Sequence, residues 1–288
     1  MIPAVRLGSI SFINSLPVDL GILSGVVASR GIHLRQDLPT ALNTAILAGD
    51  LDVSPVSAFW YAAHRDRLTL LPDLAIGSES GVHSVLLFSR QPLNKLAGRK
   101  IAITGAGRTT PALLEVICRG RYGYRPNFVA APERRELPPR GADAILLIGD
   151  EALLARHALK DSSLAVTDLA AEWRQWTGLP AVFAVWAARR DFAEKHPELL
   201  REVESVLLRS REWGAAHLEE VLSVAVRKTG LPEEVVAAYF KVLRYDLGED
   251  LKAGLGLFLE KCDGYGLFNA KEAKGRTERG RTTVEVPA

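Results

Sequence analysis

Cysteine and methionine are nearly missing: the 288 residues hold two of the first and one of the second. Cys118 and Cys262 lie far apart in apolar, helix-patterned segments, and they read as reduced core thiols. No segment reaches the about 18 continuous apolar residues that a membrane span needs. No internal repeat or low-complexity stretch is present. The six histidines (His33, His64, His83, His157, His196 and His217) are scattered. None pairs at i,i+4 and none has a cysteine at ligand spacing, so no metal motif exists. No serine sits in a Gly-x-Ser-x-Gly elbow. Gly105-Ala106-Gly107 starts like a dinucleotide loop, but Thr110 stands where the third glycine belongs, and no Walker loop is present. Neither a metal nor a cofactor is expected.

Excess charge is also scarce. The formal net charge is +2, and the end of the chain accounts for it. There Lys271, Lys274, Arg276, Arg279 and Arg281 face Glu272, Glu278 and Glu285. The preceding part is close to neutral, which argues against a nucleic-acid surface. The end itself, residues 269–288, reads as a solvated polar tail. The first residues, Met-Ile-Pro-Ala-Val-Arg-Leu-Gly, have no basic start, apolar run or small-residue cleavage site. A cytoplasmic protein without a membrane partner is therefore expected, either a monomer or a homodimer.

What is present is the composition of a globular protein, 48% hydrophobic and 24% charged. Strand-like Val5 to Ile10 leads into a helix that Asn14 or Ser15 can cap and whose first turn tolerates Pro17. Thr40 to Ala48 carries a helical stripe that Gly49 stops. Asp50 to Ser54 reads as a strand feeding a helix near Ser57. Further strands are expected at Leu70 to Ile76, Val82 to Phe88, Arg99 to Thr104, Phe128 to Ala130, Ala144 to Ile148 and Val182 to Ala187. Helices are expected from Pro111 and Asp150. After Ala187 the pattern turns helical, with stripes over 197–213, 218–228, 233–243 and 251–261.

This alternation predicts an α/β protein of two lobes with mostly parallel sheets and a helical C-terminal part. The expected layout places residues 1–90 and 187–268 in the first lobe and 91–186 in the second. The chain would cross near Phe88 to Leu93 and recross near Val182 to Ala187, leaving a cleft between the lobes. Trp173, Trp176 and Trp186 read as packing residues.

Hydroxyl or amide residues recur just after strands, at helix starts: Ser11 and Asn14, then Ser57, then Thr109 and Thr110. Each alone is an ordinary helix cap. Several together, at the carboxyl ends of strands, form a cradle of N–H groups and hydroxyls suited to a small anion. Ser84 is either a core strand residue or a cleft residue, according to register.

The run Arg6-Leu7-Gly8-Ser9-Ile10-Ser11-Phe12-Ile13-Asn14-Ser15-Leu16-Pro17 resembles the opening of the chorismate dehydratase family of menaquinone biosynthesis. Four further stretches match in order: Asp52 to Ser57, Ser84 to Ser89, Asp143 to Asp150, and Trp176 to Pro180 with Val182 to Trp186. The resemblance implies a type II periplasmic-binding-protein fold used as an enzyme. It also implies conversion of chorismate to 3-[(1-carboxyvinyl)oxy]benzoate and water. It assigns catalysis to Asn14 and substrate binding to Ser11, Ser57, Ser84, Gly107, Arg108, Thr109, Thr110 and Asp150. The family's Ser-x-Thr-Ser loop is here Gly107-Arg108-Thr109-Thr110, so one hydroxyl is lost. Contacts there would rest on backbone N–H groups, Thr109 and Thr110. A non-catalytic solute receptor and the sister dihydroxynaphthoate synthase are the alternatives. A transcriptional effector domain is a third, and no DNA-binding helix pair precedes the lobes.

Overall fold

The computed structural model describes residues 4–105, 107–132 and 137–268. The polar tail expected over 269–288 lies outside the described residues. The chain starts as alternating strands and helices: β1 (Val5–Ile10), α1 (Leu16–Leu23), β2 (Ile32–Asp37), α2 (Pro39–Ala48), β3 (Val53–Ser57), α3 (Ala58–Ala63) and β4 (Leu68–Ser78). Local chemistry sets several of these boundaries. Proline occupies the first turn of α1 and of α2, where its missing N–H costs nothing. Gly49 ends α2 at φ 86°, a left-handed cap that a Cβ disfavours.

The chain then builds a second layer from β5 (Val85–Ser89), β6 (Lys100–Ile103), α4 (Thr109–Arg121), β7 (Asn127–Ala130), β8 (Ala144–Ile148), α5 (Gly149–Ala158), β9 (Ala165–Asp168) and α6 (Leu169–Thr177). It returns through β10 (Ala181–Arg189) and finishes with α7 (Arg190–Lys195), α8 (Pro197–Ala216), α9 (Leu218–Thr229), α10 (Glu233–Val242), β11 (Leu243–Arg244) and α11 (Glu249–Gly264). Two sheets result, ordered β11-β4-β10-β3-β1-β2 and β7-β6-β8-β5-β9. Helix α8 presses so closely on α1 that a Cβ at Gly214 would lie 2.1 Å from the Pro17 carbonyl oxygen. No helix among the described residues is long and apolar enough to cross a membrane. Trp173 and Trp186 are fully buried, and both cysteines are free and buried. Burial pushes the Cys118 thiol up to about 12, which leaves it protonated and inert.

Three expectations need correction. The sheets are mixed: among the described residues four strand pairs are parallel and five antiparallel. The strands that enter and leave the second layer run against their neighbours, which is the cost of crossing twice. Second, the crossings do not fall at residues 90 and 187. β5 is fully buried between β8 and β9, so it belongs to the second sheet. β10 lies between β3 and β4 in the first. The connections are therefore residues 79–84 and 178–180. Third, β2 and β9 were not anticipated. Both are sheet edges with half-exposed patterns, and edges lack the long apolar runs that mark central strands.

Candidate functional site

The carboxyl ends of β1, β3 and β8 meet the α4 start in a cleft between the sheets. Its cavity volume is about 60 Å³, with further space open to solvent. Asn14, Ser57, Ser84, Gly107, Arg108, Thr109 and Thr110 all line it. Residues as distant in the chain as Asn14 and Thr110 converge here because open α/β sheets leave their crevice at the strand ends.

Asn14 is presented by a single 3₁₀ turn, Ile13–Ser15, ahead of α1. The turn is tightly held. Ile13 is fully buried, and the Ser15 hydroxyl donates to the Ile10 carbonyl at 2.7 Å. Ser15 therefore braces the turn from below and does not cap α1 with its side chain. The Asn14 side-chain oxygen is buried without a hydrogen-bond partner while the residue lines the cleft. A buried amide left unpaired is costly unless something else fills it. It is the clearest sign of a ligand position in the molecule.

Ser57 is both a cap and a cleft residue. Its hydroxyl accepts from the Trp60 N–H at 3.3 Å, and its own N–H donates to Asn43 Oδ1 at 3.1 Å. The Thr109 hydroxyl donates to the Phe183 carbonyl and accepts from the Phe59 N–H, both at 3.1 Å. Thr109 thus ties α4 to the first layer, and less of it is free for a ligand. Helix α4 has no side-chain cap, so the amides of its first turn and the Thr110 hydroxyl remain as donors. Arg108 supplies the one cation among the described lining residues, its guanidinium 5.9 Å from the centre of the Trp60 ring.

Ser84 faces the cleft, not the sheet core. It is held by the crossing segment before it, where the Val82 and His83 N–H groups donate to Asp168 at 3.1 and 2.7 Å. His83 adopts φ 60°, a conformation rare for any residue but glycine, and strain of this kind gathers at functional sites. The Tyr239 hydroxyl, buried in α10, donates to Ser84 Oγ at 2.9 Å. That bond occupies one lone pair of the serine and leaves its own proton free to donate into the cleft.

Two expected contacts fall elsewhere. Ser11 does not line the cleft. Its N–H pairs with the Asp37 carbonyl at 2.9 Å, and its carbonyl accepts from the Lys228 amine. Asp150 does not line it either, because its carboxylate turns away to accept the Ile13 N–H at 2.9 Å. Burial raises the Asp150 carboxyl above its usual range, opposed by that N–H and by the Lys228 charge. Sequence reasoning in turn missed Asn43 and Tyr239. Both are polar groups within buried helix faces, which was the available signal.

The remaining lining is apolar, including Ile10, Phe12, Ile76, Val82 and Phe183. None of the described lining residues is Asp, Glu, His, Lys or Cys. Such walls suit a flat hydrocarbon ring, and their low polarity strengthens each hydrogen bond made at the rim.

The profile of a family described as menaquinone biosynthesis matches residues 5–263. The chain is 34% identical to a chorismate dehydratase of Thermus thermophilus, over 80% of this chain and 87% of that one. It is 29% identical to a 1,4-dihydroxy-6-naphtoate synthase of the same organism, over 92% and 96%. Among solved structures, a Candida albicans protein described as having the generic periplasmic binding protein fold superposes with a TM-score of 0.66. The overlap covers 90% of each chain at 9% identity, so it speaks for the fold alone.

Proposed function

The chain belongs to the menaquinone-biosynthesis family, and from that premise we propose that it is a chorismate dehydratase. It takes chorismate to 3-[(1-carboxyvinyl)oxy]benzoate and water, acting in the cytoplasm on the futalosine branch. One observation carries this reading: the unpartnered, buried side-chain oxygen of Asn14 in a cleft whose walls hold hydroxyls, helix amides and a single guanidinium.

Chorismate is a dianion on a cyclohexadiene ring. The apolar wall takes the ring, while Ser84, Thr110, the α4 amides and Arg108 take the carboxylates. Dehydration removes the proton at C3 and the hydroxyl at C4, and the ring becomes aromatic. The C3 proton is acidic because the electron pair it leaves is conjugated through the diene to the ring carboxylate. Hydrogen bonds to that carboxylate stabilise the growing charge. The described lining offers no protein base, so the enolpyruvyl carboxylate of the substrate takes the proton. The C3 electron pair becomes the C3–C4 π bond as the C4–O bond breaks and hydroxide leaves, and the carboxylic acid returns its proton to that hydroxide to give water. The Asn14 amide, with a donor and an acceptor, orients the carboxylate and the leaving hydroxyl.

Incubating the purified protein with chorismate, with no other addition, is expected to give the enolpyruvyl benzoate by ultraviolet absorbance and chromatography. Tight binding without turnover would make the protein a solute receptor and sink the proposal. A smaller effect is expected at Tyr239, which braces Ser84. Tyr239→Phe should raise KM about 3- to 10-fold, the value of one hydrogen bond, with kcat little changed in steady-state kinetics. A fall in kcat at constant KM would count against a carboxylate-binding role for Ser84.

A further inference from the structure

We infer that Asp150 is a positioning residue, which reaches from the second layer to hold the turn that carries Asn14. The contact has three parts. The Asp150 carboxylate accepts the Ile13 N–H at 2.9 Å, one residue before Asn14. Beside it the Phe12 ring lies directly on Gly149, where a Cβ would come within 2.7 Å of a ring carbon, and Gly149 itself holds φ 62°. The Lys228 amine of α9 donates to the Ser11 carbonyl. The turn is thus gripped at three consecutive residues, Ser11, Phe12 and Ile13, with two of the three grips made by neighbouring residues at the start of α5.

The consequence is geometric. Asn14 belongs to the first layer, while β5, β8 and the α4 start present Ser84, Ile148 and the loop hydroxyls from the second. The Asp150 bond sets the distance between the amide and the groups that hold the substrate. Catalytic rates respond steeply to such spacing, and a shift of about 1 Å can cost on the order of 100-fold. Asp150 does this without lining the cleft.

The kinetic side of the test rests on the dehydratase reading, and a second readout does not. Asp150→Ala removes the acceptor, whereas Asp150→Asn keeps an oxygen at the same reach and loses the charge. The alanine variant is expected to lose kcat by about 10- to 100-fold, with KM for chorismate within about 3-fold of wild type. The asparagine variant should recover to within about 5-fold of wild type. In parallel, hydrogen exchange should show the Ile13 amide protected in wild type and in Asp150→Asn. In Asp150→Ala that protection should fall at least about 10-fold, since the bond no longer resists local opening. Should the alanine protein not fold, Asp150→Ser, too short to reach, takes its place.

A rise in KM alone would make Asp150 a substrate contact and overturn the inference. So would an asparagine variant as slow as the alanine one, or an Ile13 amide equally protected in all variants. If wild type itself leaves chorismate unchanged, the dehydratase reading falls, and hydrogen exchange still decides whether Asp150 holds the turn.

Discussion

Asn14→Ala is expected to lower kcat for chorismate by about 100- to 1,000-fold, the usual cost of deleting one preorganised polar group at a reacting centre. KM should move by less than about 5-fold, because the carboxylates are held mainly by Ser84, Thr110, the α4 amides and Arg108. The reason lies in the turn. Ser15 and buried Ile13 hold it rigid, so the amide is already placed and its oxygen already stripped of water. A truncated side chain cannot be replaced by a water with the same orientation. Single-turnover kinetics with saturating enzyme isolates the chemical step. If Asn14→Ala binds chorismate and turns it over at near the wild-type rate, the proposed role of the amide is wrong.

The second large effect concerns stability. Asp19 is fully buried beneath the same turn. Its carboxylate accepts from the Ser9 hydroxyl at 2.5 Å, while its other oxygen has no partner. Burial raises its carboxyl to about 7, against the lowering effect of the Ser9 hydrogen bond. The unfolded chain releases this proton near the ordinary value of about 3.9, whereas the folded protein keeps it to near neutrality. The stabilisation from Asp19 is therefore complete below about pH 4 and is lost as the pH rises through about 7. A shift of this size corresponds to roughly 4 kcal/mol.

Asp19→Asn stays neutral at every pH. Urea unfolding is expected to show the variant gaining on wild type by a few kcal/mol between about pH 4 and pH 8. Taking the difference between the two proteins cancels the other titrating groups. A difference that does not change with pH would mean that Asp19 is ionised throughout.

Much of the fold was legible because central strands announce themselves. Val85-Leu86-Leu87-Phe88 and Ala144 to Ile148 are continuous apolar runs, and both are central, buried strands. The helices after Ala187 showed their stripes plainly, and Gly49 marked the end of α2 as expected. β2 went unread because Ile32 to Asp37 alternates weakly at a sheet edge. The crossing points were misplaced because a buried strand looks the same whichever sheet it joins. Strand pairing is a matter of partners far away in the chain, and only assembly decides it.

The site divides in the same way. Residue type and position after a strand were enough to single out Asn14, Ser57, Thr109 and Thr110, since hydroxyls and amides at helix starts follow local rules, whereas the register of Ser84 stayed open. The opening motif, with its neighbours in order, was enough for the family. Direction was not available locally. Only the packed molecule turned Asp150 toward the Ile13 N–H, engaged Thr109 with Phe183 and Phe59, and set Tyr239 behind Ser84. A side chain's type is written in the sequence, but its partner is chosen by whatever the fold brings within hydrogen-bonding distance, and burial makes that choice binding.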